Sequence, residues 1–436
     1  MKTFLLQIVL FISFVSFVYP QSKDEFKQEF RIAGTIFTGW EFNVDNSNFI
    51  SKLDSLSPNS NSLFGYNPAK NQFETNQNSF FLERAFLTVF ASLTPSLKAR
   101  LTSDIYSLTD GVGKTQYQLG VKFAWVSWTP LKNDNGTKLD FTFGIIPNQW
   151  PLENEKYYSY RGFAKTLTDM PWITSVSKNA YQVNRASGSY FPTSDIGANV
   201  TFSAPNNLAE AYINIFNGNG FRNLGFDNRF KDIEAIAFIH PFASELKKKA
   251  SDSKARITGT ADVTLGGYAY IGKMGLGENY KGAQYVRNRF GSMIHYKYNF
   301  NKSGFFKIGA EYSMQFNNDP SPAKPDSVIN TSAAGLSTYF EFNPPIEALN
   351  EKLMLIARYD FFDPDNSNST VSNLDFNNNT DRQTFMMLGL AYKPSKMFTL
   401  GISYQQFGYQ LPFIMDYENK TSDKDSKLIF HSILEF

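Results

Sequence analysis

The stretch that decides the fold is Leu353-Met354-Leu355-Ile356-Ala357-Arg358-Tyr359-Asp360-Phe361. Every odd-numbered residue in it is apolar or aromatic, whereas its two charged residues, Arg358 and Asp360, carry even numbers. Successive side chains of a β-strand point to opposite faces, so a strand would separate the odd-numbered residues from both charges. The first face suits lipid and the second suits water. The stretch therefore predicts one strand of a membrane-spanning barrel with a wet interior.

The same alternation occurs in two further segments. Residues 97–105 and 307–314 both place aliphatic side chains on one face and charged side chains on the other. Charges confined to one face fit a water-filled lumen. The strands of a soluble sandwich also hide one face, but they are typically about half as long. A barrel therefore explains these segments better than a sandwich does.

Read for the same period, the chain divides into about sixteen segments rich in Val, Ile, Thr, Phe and Tyr. We place them at 29–40, 79–93, 96–107, 116–128, 138–147, 190–203, 208–217, 231–242, 256–271, 284–300, 304–316, 332–342, 352–362, 382–392, 397–407 and 427–436.

The connections between these segments alternate short and long along the chain, with two looser short ones at 130–137 and 243–255. An up-and-down barrel produces this alternation, and an even strand number leaves both ends on one side. We therefore predict an all-β fold: a transmembrane antiparallel β-barrel of about sixteen strands, with short periplasmic turns and long extracellular loops.

Composition agrees with a barrel and excludes several classes of protein. The 436 residues include 43 Phe and 23 Tyr, yet 19% are charged, a mixture that aromatic girdles and a polar lumen explain. No cysteine is present, which excludes disulfides, thiolate metal sites and a cysteine nucleophile. The net charge of +2 predicts no strong attraction to nucleic acid.

The beginning of the chain predicts export. Lys2 precedes an apolar run from Phe4 to Val18, and a polar segment follows that run. This is the pattern of a signal peptide, so we expect residues 1–21 to be removed and residues 22–436 to form the barrel. The last segment ends on Phe436 and resembles the C-terminal insertion signal of outer-membrane proteins, although Ser432 departs from that pattern. We expect the outer membrane of a Gram-negative bacterium as the location.

Residues for catalysis or metal binding are scarce. The histidines are His240, His295 and His431, each within a predicted strand, and no G-x-S-x-G nucleophile elbow is present. Residues 363–368 superficially suggest a calcium loop, but Asn368 stands where the EF-hand pattern requires glycine. We therefore expect no enzyme activity, no metal and no cofactor.

The long connection at 148–189 differs from the other loops because it is rich in Trp, Tyr and Phe. If it folds into the barrel, its apolar residues pack on the inner wall while Arg161 and Lys165 narrow the pore and set its electric field. The alternative is an external loop packed on its neighbours.

Charges on the inward faces would complete such a constriction. The segment 284–300 presents a basic ladder that includes Arg287, Arg289 and Lys297, and Arg358 also points inward. Further inward cations by alternation are Lys98, Arg100, Lys122 and Lys307, and the inward acids are Asp104, Asp140, Asp195, Glu210, Asp262, Glu311 and Asp360. Mixed walls predict weak selectivity, with a local bias toward anions.

Several short motifs resemble one family of bacterial porins. They lie at 80–88, 143–147, 158–169, 194–197 and 358–365, and together they are similar to the porins known as phosphate-selective porin O and P-like. The resemblance covers the chain after residue 21, and it implies a sixteen-stranded barrel, often trimeric, with an in-folded third loop. It does not imply phosphate selectivity, because members that bind phosphate use dense arginine and lysine clusters, whereas the inward charges here nearly balance.

The leading hypothesis is a porin that lets small hydrophilic solutes or inorganic ions diffuse through a water-filled pore. Its expected partners are outer-membrane lipid, the permeating solutes and two further copies in a homotrimer. The alternative is a closed barrel that acts as a binding or adhesion protein through its long loops. An outer-membrane enzyme is a distant third.

Overall fold

A closed β-barrel accounts for most of the chain in the computed structural model. The structure describes residues 26–45, 66–67, 72–73, 78–109, 115–170, 172–179, 182–188, 192–218, 220, 230–243, 260–275, 284–300, 303–320, 328–349, 352–363, 382–409 and 423–436. The predicted signal peptide at 1–21 lies outside the described residues.

Sixteen antiparallel strands form the barrel, which closes where β1 pairs with both β4 and β20. Two small hairpins, β2–β3 and β8–β9, form separate two-stranded sheets. The strands are β1 Glu29–Asp45, β2 Tyr66–Asn67, β3 Gln72–Phe73, β4 Asn78–Thr94, β5 Leu97–Thr109, β6 Thr115–Lys132, β7 Lys138–Pro147, β8 Trp172–Asn179, β9 Gln182–Gly188, β10 Ser194–Ser203, β11 Ala209–Phe216, β12 Asp232–Ile239, β13 Thr260–Gly275, β14 Gln284–Asn299, β15 Phe305–Pro320, β16 Val328–Asn343, β17 Leu353–Asp363, β18 Gln383–Ser395, β19 Phe398–Tyr409 and β20 Asp423–Glu435.

Each predicted segment corresponds to one barrel strand, and β7 has the predicted bounds. The prediction that connection lengths alternate strictly was wrong. The connections 110–114, 276–283 and 321–327 are short although they lie at the loop end, whereas 240–259 and 344–352 are longer although they lie at the turn end. The hairpin β8–β9 falls within the long connection 148–193, where the sequence predicted only an in-folded loop.

The outward faces carry the apolar residues, as the alternation predicted. In β17, Leu355 and Tyr359 are 45% and 51% exposed, whereas Arg358 and Asp360 are 4% and 0% exposed and face inward. Exposed aliphatic and aromatic side chains recur on the outside of every part of the barrel and suit contact with lipid. Among the described residues, no helix is long and apolar enough to cross a membrane.

The inward faces are less polar than the sequence suggested. Met354 and Ile356 share the inward face of β17 with Arg358, and both are buried in an apolar cluster inside the barrel. The same cluster contains Trp150 of the helix α1, Gln149–Tyr157, and several residues that follow it. The apolar residues on the inward faces are therefore covered by α1 and the residues that follow it, not by water.

Candidate functional site

The chain turns inward directly after β7, because Asn148 caps a helix there. The Asn148 side-chain oxygen accepts a hydrogen bond from the Trp150 backbone N–H at 3.0 Å, which satisfies one donor that a helix start leaves open. At the other end of α1, the Tyr158 backbone N–H donates to the Asn154 carbonyl oxygen. We call residues 148–170 the inner segment, because their contacts lie on the inward faces of the barrel strands.

Trp150 is the first anchor of the inner segment, and its side chain is fully buried. Its ring lies 4.5 Å from the ring of Tyr268 and 6.0 Å from that of Phe238, measured between centroids. Its indole N–H donates to the Glu311 carboxylate at 2.6 Å. Both the apolar and the polar part of this side chain are thus satisfied by the barrel wall.

The second anchor joins the inner segment to β14, β15 and β16. The ring of Tyr157 stacks on His295 with a centroid distance of 4.7 Å. The carboxylate of Glu341 accepts a hydrogen bond from the Ser159 backbone N–H at 2.8 Å and pairs with Lys307 at 3.0 Å. Lys307 also donates to the Tyr157 carbonyl oxygen. Glu341 and Lys307 on the wall therefore form hydrogen bonds with the backbone of the inner segment instead of facing water.

Arg358 is the third anchor. Its guanidinium pairs with Asp360 at 2.5 Å, donates to the Lys165 carbonyl oxygen and lies over the ring of Tyr158. Only 1% of its side chain is exposed. Alternation along β17 predicts Arg358 in the pore wall. The structure instead places it behind the inner segment, where the segment covers it.

The remaining anchors reach the last strands of the barrel. The ring of Phe163 stacks on His431 at 4.1 Å, and its carbonyl oxygen accepts a hydrogen bond from the Gln405 side chain at 2.7 Å. Leu167 is fully buried and lies beside Gly335 of β16. The inner segment therefore contacts inward faces from β12 round to β20.

Against β1, β4, β5 and β6 the inner segment leaves a cavity of about 350 Å³. Its lining combines wall residues with residues of the inner segment. From the wall come Thr35, Phe37, Phe86, Thr88, Arg100, Thr102, Lys122, Phe123, Lys393, Thr399, Ile433 and Glu435; from the inner segment come Leu152, Glu155, Ser159, Tyr160, Arg161 and Gly162.

Two β-bulges shape the wall of this cavity. The pairing of β5 with β6 skips Lys122, because Thr102 pairs with Phe123 and Ser103 pairs with Val121. Lys122 and Phe123 are consecutive, yet both line the cavity. The pairing of β1 with β4 shifts in the same way at Glu83. A bulge re-aims side chains that strict alternation would send to opposite faces.

The cations of the cavity differ in their partners. Arg84, behind the lining, pairs with Asp104 at 2.9 Å. Arg100 donates to the Thr102 hydroxyl, and Lys122 lies over the rings of Phe86 and Phe123. Neither Arg100 nor Lys122 has a carboxylate within ion-pair distance among the residues that the structure describes.

Arg161 is the cation that the inner segment presents to the cavity. It pairs with Glu155 and also with Asp169, the latter at 2.7 Å. Burial alone would lower the pKa of Arg161, but these carboxylates and Glu83 hold it above its usual value. Burial alone would raise the pKa of Asp169, but Arg161 and Lys165 hold it below its usual value. Arg161 is therefore a permanent cation that two acids partly neutralise.

The other predicted site residues are divided between two places. Burial lowers the pKa of Lys165, although the nearby carboxylates of Asp169 and Glu83 partly oppose this shift. Arg161 is also close enough to Lys165 to interact with its charge. Three residues lie on β14 and do not line the cavity: Arg287, which donates to the Gly218 carbonyl oxygen at 2.7 Å; Arg289, which lies over Tyr270; and Lys297, which lies over Phe305. The structure thus brings Arg161 close to Lys165, and the cavity lining that contains Arg161 also contains Arg100 and Lys122 but no residue of the β14 ladder.

Alternation predicts Arg100 and Lys122 on inward faces, but nothing in the sequence singles them out as site residues. No motif marks them, because their importance depends on which wall the inner segment leaves uncovered. Metal ligation has no support within the described ranges, where no group of three His, Asp or Glu side chains is close enough to hold an ion.

No family model matches the chain, and no curated protein matches it either. Two solved structures with a similar fold are the anion-selective porin from Comamonas acidovorans and OprB from Pseudomonas putida. The first is 10% identical, over 94% of this chain and 100% of that chain, with a TM-score of 0.51. The second is 9% identical, over 93% of this chain and 94% of that chain, with a TM-score of 0.52. At these identities the likeness shows the fold alone, the β-barrel of outer-membrane porins.

Proposed function

We propose that the protein is an outer-membrane porin, through which small hydrophilic solutes or inorganic ions diffuse passively. The observation that carries the proposal is the cavity of about 350 Å³, which lies inside a closed barrel between a charged wall and the inner segment. The apolar outer surface supports a membrane location, and the signal-peptide pattern of residues 1–21 supports export.

The inner segment has the properties of a pore constriction. Its aromatic residues are buried on the wall from β12 to β20, so it stays in place without filling the space against β1, β4, β5 and β6. Its only cavity-lining cation among the described residues is Arg161, whose two carboxylate partners fix the position of the guanidinium. Solutes would pass between Arg161 and the side chains of Arg100 and Lys122.

The distribution of ion pairs supports a preference for anions. The inward charges nearly balance, but the acids near the cavity have cationic partners: Asp104 pairs with Arg84, Glu155 and Asp169 pair with Arg161, and Glu435 pairs with Lys393 at 3.8 Å. Arg100 and Lys122 have no such partner among the described residues, so the local field is positive. We also propose a homotrimer, which the resemblance to this porin family supports.

Planar lipid bilayers with the purified protein test the proposal. We expect stepwise single-channel conductance, and a reversal potential in a potassium chloride gradient that indicates chloride as the more permeant ion. A protein that inserts but gives no steps would support the alternative, a closed barrel that binds partners through its loops. A reversal potential of the opposite sign would overturn only the anion preference.

A further inference from the structure

Aromatic rings form part of the cavity wall, which a channel for inorganic ions alone does not need. Phe37 and Phe86 both line the cavity, and their rings meet edge to face with centroids 6.1 Å apart. Leu152 and Ile433 add aliphatic surface to the same lining. Apolar surface beside water is unfavourable unless something covers it. These rings would gain free energy from a solute with an apolar part.

The rings alternate with cations along this wall. Arg31 lies over Phe90 at 4.6 Å, and Arg100 lies over the same ring at 5.1 Å and over Phe123 at 4.4 Å. Lys122 continues the row, 4.5 Å from the ring centroid of Phe86 and 5.3 Å from that of Phe123. The row follows the wall from the turn end of β1 to the height of the inner segment, so each cation stands next to an apolar face.

We propose that the cavity binds small aromatic carboxylates, with the carboxylate at Arg100 and Lys122 and the ring against Phe37 and Phe86. The inference rests on the proposed function, since it names the solute class that such a pore favours. Arg100 uses its Nε to hold Thr102, which leaves its terminal nitrogens free of protein partners among the described residues and available for a carboxylate.

The size of the cavity fits this class of solute. Pockets that bind small molecules generally measure about 300–1,000 Å³ and combine apolar walls with a few placed polar groups. The cavity, at about 350 Å³, lies at the lower end of that range and holds both kinds of group. An inorganic anion would use the cations and gain nothing from the rings. The rings therefore distinguish an aromatic carboxylate from an anion of the same charge without a ring.

Block of single-channel chloride current tests the inference. Benzoate and acetate carry the same charge, so the ratio of their half-blocking concentrations isolates the ring. We expect benzoate to block at about tenfold lower concentration than acetate, because burying a ring contributes at least that factor. Benzyl alcohol, which has the ring without the charge, is expected to block more weakly than benzoate.

Variants locate the two parts of the site. Phe86→Leu keeps apolar volume but removes the ring, so we expect the benzoate preference to shrink severalfold. Arg100→Gln is expected to weaken block by benzoate and acetate alike. Phe143→Leu, on the outer surface where Phe143 is 59% exposed, is the matched control and is expected to leave block unchanged. Unboiled gel mobility verifies that each variant is folded.

Failure of this inference differs from failure of the proposed function. Without conductance steps, the porin proposal itself fails. With steps but equal block by benzoate and acetate, the pore is confirmed and the aromatic site is overturned. An undiminished benzoate preference in folded Phe86→Leu would also overturn the placement of the ring.

Discussion

Replacement of Arg100 by glutamine removes one charge from the wall of the cavity and keeps a polar, inward-facing side chain. Arg100 has no carboxylate partner among the described residues, so its loss leaves no buried acid unbalanced. Its contacts are a hydrogen bond to Thr102 and the rings of Phe90 and Phe123. We therefore expect the barrel to fold and the selectivity of the pore to change.

The size of the change follows from Coulomb's law. Two unit charges about 4 Å apart interact by about 1 kcal/mol in bulk water. Without Arg100, a passing anion loses this attraction and a passing cation loses the matching repulsion, so the difference between them shifts by about 2 kcal/mol. Screening at about 0.1 M salt, where the Debye length is about 10 Å, leaves about 1.3 kcal/mol. We expect the anion-to-cation permeability ratio to fall about tenfold, since about 1.4 kcal/mol corresponds to that factor.

Reversal potentials of Arg100→Gln and of the unmodified protein, in the same salt gradient, measure this ratio. Lys132→Gln is the control, because Lys132 is the exposed last residue of β6 and does not line the cavity. The difference between Arg100→Gln and the unmodified protein is expected to shrink as the salt concentration rises. An unchanged ratio in Arg100→Gln, together with a large change in Arg287→Gln, would place the selective charges on β14 and refute the reasoning.

Three further predictions concern the inner segment. Trp150→Phe removes the indole N–H that donates to Glu311, and a hydrogen bond to a charged group contributes about 1.5–3 kcal/mol. We expect this variant to show more frequent fluctuations of the single-channel current. Trp128→Phe, on the outer surface, is the control and is expected to leave the current unchanged. Leu167→Ala empties a fully buried position at a cost of about 2–5 kcal/mol, so backbone amides of α1 should exchange hydrogen faster; equal exchange rates would contradict the packing. The pKa of Asp169 is lowered in the folded state. Its ion pair with Arg161 therefore stabilises the folded state fully above about pH 4, near the pKa of an aspartate in the unfolded chain. This stabilisation is lost as the pH falls through the lower pKa of the folded state. Once the intrinsic pH dependence of amide exchange is corrected for, the protection of amides in the inner segment is therefore expected to fall in acid. A fall that persists in Asp169→Asn would exclude Asp169 as its cause.

The barrel could be predicted from the sequence because its physical cause is local. Alternation in a stretch such as 353–361 depends only on the two faces of a strand. Once one residue is assigned to the inward or the outward face, every other residue of the strand is assigned as well. The strand ends were less predictable. β13 begins at Thr260 and β16 begins at Val328, four residues later and four residues earlier than predicted, because pairing with a neighbour can stop or continue regardless of the apolar pattern.

The candidate site could be predicted only in part. The aromatic content of 148–189 indicated an in-folded loop, but it gave no information on which wall the loop would cover. Arg358 and Lys307 alternate inward as Arg100 does, yet they hold the backbone of the inner segment while Arg100 faces the cavity. The bulge at Lys122 depends on the pairing of two strands, which a period of two cannot reveal.

The most direct test of the central claim is the single-channel conductance of Thr35→Cys protein before and after a bulky water-soluble thiol reagent. The native chain has no cysteine, so the reagent reacts at one place. Thr35 lines the cavity, whereas Ile36, its neighbour on the opposite face of β1, pairs with outward-facing Leu434 and serves as the control Ile36→Cys. We predict stepwise conductance that falls after the reagent in Thr35→Cys and stays constant in Ile36→Cys. A folded, inserted barrel without conductance steps, or steps that fall only in Ile36→Cys, would contradict the account.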